Sequence, residues 1–175
     1  MMRNGLFALA LSVALFPICL PASAHGADSC QLVFDALLRI ATTPSHSYTT
    51  STPVNGGKPM DGETIFANGQ KYMRGRGKWM HLPVTSQDVI EQEKEKQEHG
   101  KSSCQLLRPD AVNGEPASVY SMHREYEEVT EDGQVWISKR SGLPLRVDAD
   151  VDNTGNRVKA HSSTRFEYGN IQPPM

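Results

Sequence analysis

Aromatic side chains make up only 7% of the 175 residues, and cysteine occurs three times. None of the cysteines forms a CxxC pair, which removes the usual thiol–disulfide oxidoreductase motif. Charge of one sign is also lacking: 18 Lys and Arg stand against 20 Asp and Glu, for a net charge of −2. A balance so near neutral and so evenly spread excludes the basic face that a nucleic-acid partner requires. Beyond Leu20 no apolar run is long enough to cross a membrane as a helix. There is no GxSxG elbow, P-loop, HExxH pair or Rossmann glycine pattern, so the sequence names no catalytic apparatus and predicts no cofactor and no enzyme.

What is present begins with an export signal. Arg3 supplies a positive start, Leu6 to Leu20 form an apolar run, Pro21 breaks it, and Ala22-Ser23-Ala24 places small residues where a signal peptidase reads. The run is about 15 residues, short of the ~20 that span a bilayer. The expectation is therefore residues 1–24 as a signal peptide cleaved after Ala24, residues 25–175 as one domain, and a periplasmic destination. Cys19 leaves with the signal. Cys30 and Cys104 remain, an even count in an oxidising compartment, and are expected to form a disulfide.

Periodicity then orders the mature chain. Asp28 or Ser29 can cap a helix over Cys30 to Thr42, where Val33, Phe34, Leu37, Leu38, Ile40 and Ala41 recur at three and four, and Pro44 stops it. From His46 onward the pattern turns to β-type runs, with Asn68-Gly69 as a hairpin signal. Thr85 or Ser86 can cap a second helix, SQDVIEQEKEKQEH, ended by Gly100; with only Val89 and Ile90 as apolar anchors it reads as a charged surface helix or flap. A meander follows, with turns expected at Asn113-Gly114, Asp132-Gly133 and Ser141-Gly142.

The last two runs alternate strictly. Leu143, Leu145, Val147, Ala149 and Val151 share one face of the first, and Val158, Ala160, Phe166 and Tyr168 one face of the second. A four-residue loop, Asn153 to Asn156, would set Asp152 against Arg157, Asp150 against Lys159 and Asp148 against His161, with Val151 meeting Val158 and Leu143 meeting Phe166. Asp148, Asp150 and Asp152 at i, i+2, i+4 resemble a cation site, but facing basic residues make ordinary charge pairing the reading adopted. His46, His81, His99, His123 and His161 show no ligand spacing with one another. His25 would become the first residue after cleavage, where amine and imidazole together can chelate copper; that is a remote alternative for a metal site. Trp79, Trp136, Tyr72 and Tyr120 read as core or cross-strand pairs in preference to a pocket lining, and Arg74 to Lys78 as a solvated hairpin end in preference to a basic patch touching lipid headgroups.

Several stretches carry a family resemblance: Gln70-Lys71-Tyr72-Met73 with Gly77-Lys78-Trp79, Asn113-Gly114 with Val119-Tyr120, Val135-Trp136-Ile137-Ser138 with Ser141-Gly142-Leu143-Pro144-Leu145, and Phe166-Glu167-Tyr168-Gly169-Asn170. In this order, after an amphipathic helix, they resemble the LolA-like periplasmic proteins: the lipoprotein carriers, the outer-membrane lipoprotein-sorting proteins and the amino-terminal domain of the RseB stress sensor. The resemblance implies an α+β fold, a curved antiparallel sheet (an incomplete barrel) packed on the N-terminal helix, with the charged helix inserted midway. It also implies a binding or carrier module for an acyl chain or other apolar ligand, or for a lipidated protein. Residues 25–175 would be one LolA-like domain, with Val33, Phe34, Leu37, Leu38, Leu145, Val147 and Phe166 facing the ligand. The alternative is a non-enzymatic envelope interaction or sensor domain of the same fold with a filled core, acting on a protein partner through its surface.

Overall fold

The computed structural model describes residues 26–174, so the signal segment, its cleavage site and His25 lie outside the described residues. Helix α1 (Gly26–Ile40) precedes four strands: β1 (Ser45–Pro53), β2 (Met60–Ala67), β3 (Gln70–Gly75) and β4 (Lys78–Thr85). Helix α2 (Ser86–His99) then leads to β5 (Lys101–Val112), β6 (Glu115–Tyr126), β7 (Val129–Ser138), β8 (Pro144–Asn153) and β9 (Val158–Tyr168). All nine strands form one antiparallel sheet in the order β4-β3-β2-β1-β9-β8-β7-β6-β5.

Curvature follows from this order. β4 and β5 are the two edges, yet α2 alone joins them, starting at the residue after Thr85 and followed by Gly100. Eight inter-strand steps would part the edges of a flat sheet by about 38 Å. A 14-residue helix with its flanking bonds reaches only about 30 Å. The sheet must bend for α2 to connect its edges. The α+β class, the curved sheet and the mid-chain charged helix are therefore as the sequence predicts.

Both helices lie over the same face. Cys30, Val33, Phe34 and Ala36 of α1 pack into one buried cluster with Cys104, Met122, Val135 and Ile137, joined by Leu37, Tyr120 and Val147. Val33 and Val135 are wholly buried, a gain of about 1.5–3 kcal/mol each over exposure. The Cys30–Cys104 disulfide ties α1 to the edge strand β5. At the far end of α1, Arg39 Nη1 donates to the Ser141 carbonyl at 2.7 Å. α2 has no fully buried residue; a Thr85–Asp88 capping box starts it and Gly100 ends it. A buried ion cluster secures it instead: Arg124 Nη1 lies 2.7 Å from Glu93 on α2 and Nη2 lies 2.5 Å from Glu131 on β7. Burial pushes the Glu93 carboxyl up, but Arg124 and Lys96 outweigh it and hold the group below its usual range.

Four local expectations need correction. α1 starts at Gly26, so Asp28 and Ser29 lie inside its first turn instead of capping it, and it ends at Ile40 before Thr42. Asp132-Gly133 is no turn; both residues sit within β7, and the β6–β7 turn is Glu127-Glu128, with Tyr126 opposite Val129. The glycine serves a close approach: a Cβ on Gly133 would sit 2.3 Å from the Asp148 carbonyl oxygen. The β8–β9 register is also two residues from the expected one. Asp152 faces Lys159, Asp150 faces His161, Asp148 faces Ser163 and Val151 faces Ala160, around a loop of residues 154–157. Arg157 therefore has no place opposite Asp152; it adopts a left-handed φ of 58° in the turn, which Asn153 also closes by accepting from the Asn156 N–H at 3.1 Å. A slip of two preserves the faces, so hydropathy could not distinguish the two registers. Lastly, Leu143 does not pair with Phe166; Ser138 N–H bonds to the Leu143 carbonyl instead, ahead of β8. The turns at Asn68-Gly69, Asn113-Gly114 and Ser141-Gly142 are where the sequence places them.

Candidate functional site

Direct cross-strand partners share a face, so the pairings sort the side chains of the sheet. On the face opposite the helices, one row runs Ser103, His123, Asp132, Asp150 and His161 across β5, β6, β7, β8 and β9. The next row runs Gln105, Ser121, Gln134 and Asp148. Arg108, Val119, Trp136 and Arg146 form a third. The first two rows, with Arg108 and Trp136 of the third, line an open groove of about 1310 Å³, which at the β5 edge reaches Ser29 and Leu32 of α1.

Its lining is mixed, with Leu32, Leu106, Tyr120, Met122 and Trp136 beside a hydrogen-bonded polar network. His123 Nδ1–H donates to Asp132 at 2.7 Å, and His161 Nδ1–H donates to Asp150 at 2.9 Å. Asp132 and Asp150 face each other on adjacent strands, a like-charge juxtaposition that costs stability unless flanking groups offset it. The two imidazoles, one at each end, each hydrogen-bond one of these carboxylates. The hydrogen bond to Asp132 raises the His123 pKa above the usual histidine value, against a smaller opposing effect of burial. Asp148 is held by Arg146 Nη2 at 2.6 Å and by the Ser163 hydroxyl at 2.7 Å. The Arg146 guanidinium lies 4.9 Å from the centre of the Trp136 ring, while Trp136 Nε1–H donates to Asp110 at 2.9 Å. That bond, with a backbone N–H from Ala111, holds the Asp110 carboxyl below its ordinary range. Arg108 reaches across to Gln134 at 3.3 Å.

The residues expected to face an apolar ligand lie elsewhere. Val33, Phe34, Leu37 and Val147 pack in the cluster between α1 and the sheet, and Leu38 is half-buried on α1. Leu145 belongs to a second cluster with Ala117, Val119 and Trp136, and Phe166 stacks on Tyr168 at 6.3 Å. None of the seven is among the residues that line the groove. A smaller pocket of about 210 Å³ lies where the end of α1 meets Phe66, Asn68 and Ser86. Of the aromatic residues singled out by sequence, Trp136 and Tyr120 line the groove, Tyr120 also packing against the core, while Tyr72 pairs with His81 and Trp79 with His46.

The His–Asp–Asp–His row was not read from the sequence. Two-residue periodicity places His123 and Asp132 on one face only if the β6–β7 turn is at Glu127-Glu128. An Asp-Gly dipeptide is the stronger turn signal and masked that arrangement. The three aspartates of β8 do pair with bases, Asp148 with Arg146, Asp150 with His161 and Asp152 with Lys159 at 2.5 Å. Among the described residues no group of three or more metal-ligating side chains converges. No helix there is long and apolar enough to cross a membrane.

No family model matches the chain, and no curated protein matches it at a significant level. Solved structures share a distant likeness. MucB in complex with MucA(peri) is 12% identical with a TM-score of 0.45, over 83% of this chain and 57% of that one. LprF from Mycobacterium bovis is 10% identical with a TM-score of 0.45, over 85% and 97% of the two chains. A DUF1329 family protein from Desulfovibrio piger is 11% identical with a TM-score of 0.30, over 83% and 95%. This chain thus spans little more than half of the MucB chain. At these scores the overlap assigns no site and no ligand.

Proposed function

We propose that this protein is an exported binding module that acts through the polar face of its sheet, taking an extended polypeptide segment with cationic side chains into the groove. The observation that carries the reading is the His123–Asp132–Asp150–His161 row, which sets two adjacent carboxylates on the floor of an open groove of about 1310 Å³. Asp148 is already paired with Arg146 beside the groove, so Asp132 and Asp150 are the two carboxylates left for lysine or arginine side chains of a ligand, against Arg108 among the lining residues. The Asp132 and Asp150 side chains are 64% and 73% exposed, accessible enough to meet a ligand.

An acyl-chain carrier would hold its ligand between α1 and the sheet. That space is occupied by Val33, Phe34, Met122, Val135 and Ile137, which favours the filled-core interaction domain over the carrier. No covalent step is assigned; the module binds. Titration calorimetry of the mature protein with short extended peptides rich in Lys or in Glu tests this. The Lys peptide should bind, and Asp132→Asn with Asp150→Asn should weaken it at least about tenfold, in line with about 1.5–3 kcal/mol for charged hydrogen bonds. Equal binding of both peptides, or an unchanged affinity in the double variant, would overturn the reading. Co-purification of a lipid in native mass spectrometry would restore the carrier.

A further inference from the structure

The β3–β4 hairpin forms a second surface, distant from the groove and on the helix-bearing face. Pairing places Lys71, Met73 and Gly75 of β3 beside Leu82, Met80 and Lys78 of β4 on this face, with Met60, Gly62 and Thr64 of β2 alongside. None of these nine residues is acidic. Met60, Met73 and Met80 are 63%, 38% and 46% exposed, although a methionine gains by burial. Gly75 leaves a notch over which the Met80 methyl lies, 3.0 Å from where a Cβ would stand. The hairpin tip is Arg76-Gly77, both at left-handed φ (51° and 78°), a turn that projects Arg76 beside Lys78. Lys71, Arg76 and Lys78 form no ion pair among the described residues, whereas Arg74 on the other face is bound to Glu63 at 2.7 Å.

We propose that this hairpin docks the protein on an anionic phospholipid bilayer, with Arg76, Lys78 and Lys71 at the headgroups and Met73 and Met80 against the acyl boundary. Unpaired cations beside exposed, flexible apolar side chains, with no carboxylate between them, match the two demands of such an interface: attraction to negative headgroups and apolar burial just beneath them. A neutral protein partner would leave the cations unused, and an acidic one would leave the methionines unexplained. The surface is independent of the groove.

The test is co-sedimentation of the full mature, disulfide-linked protein with vesicles of phosphatidylcholine alone or with about a quarter phosphatidylglycerol. Binding is expected only to the anionic vesicles, falling steeply as salt is raised. Arg76→Asn with Lys78→Gln should weaken it by about 25-fold, fivefold for each cation lost; asparagine suits the left-handed turn, so the hairpin is kept. Lys78→Gln alone, on an exposed strand position, gives the fivefold step should the double variant fail to fold. Met73→Ser with Met80→Ser should weaken binding at unchanged charge, and Asp132→Asn with Asp150→Asn should leave it at least as tight. Equal binding to neutral vesicles, no binding to anionic ones, capture by polyglutamate but not by vesicles, or indifference to the hairpin substitutions would each overturn the proposal.

Discussion

Arg124 of β6 holds Glu93 of α2 at 2.7 Å, in a site where the arginine side chain is 9% exposed. With Glu131 on its other side, this guanidinium is the main polar tie between the solvated helix α2 and the sheet. Arg124→Ala removes the guanidinium shared by Glu93 and Glu131 and leaves only Lys96, on the Glu93 side, as counter-charge, a loss of about 3 kcal/mol. Denaturant titration checks the magnitude, and amide exchange should show α2 opening before the strands.

The same pair sets an acid limit. The Glu93 pKa is lowered in the folded protein, so its contribution is complete above the unfolded-state value and is lost as pH falls through the depressed folded value. α2 should detach in acid before the sheet unfolds, with Glu93→Gln removing that pH dependence. A far-UV and amide-exchange series below pH 5 reads it, and identical profiles for the two proteins would contradict the assignment.

His123 carries the opposite sign. Its pKa is raised by Asp132, so the interaction stabilises the fold below the ordinary histidine value and fades as pH rises through the raised one. Titration of the His123 ring by NMR should give a value above that of a free histidine, returning towards it in Asp132→Asn.

The two glycine classes separate cleanly. Gly133→Ala drives a methyl to 2.3 Å from the Asp148 carbonyl oxygen and should cost about 3 kcal/mol or more, because a backbone partner cannot step aside. Gly114→Ala meets nothing within 4 Å and pays only for a φ of 83°, about 1 kcal/mol. Thermal or urea denaturation of the two variants gives the ratio.

The Cys30–Cys104 bridge closes a loop with a sequence separation of 74. Chain entropy gives such a loop about 4 kcal/mol. Cys30→Ser with Cys104→Ser should lower stability by about that amount, and wild-type protein under reductant should follow the double variant.

What sequence alone determined were features with local causes. The α1 stripe of Val33, Phe34 and Leu37, the start of α2 at Thr85 or Ser86, and the Asn-Gly turns at 68–69 and 113–114 each follow from neighbours within a few residues. The alternation of β8 assigned its faces for the same reason. Only the tertiary structure decided the rest. The register of β8 on β9 depends on where the turn closes, since a shift of two residues leaves every side chain on its face. The Gly133 position depends on how near Ala149 of another strand approaches. The row from His123 to His161 joins four strands whose members are up to 38 residues apart, and hydropathy does not encode which polar residues meet across a bent sheet.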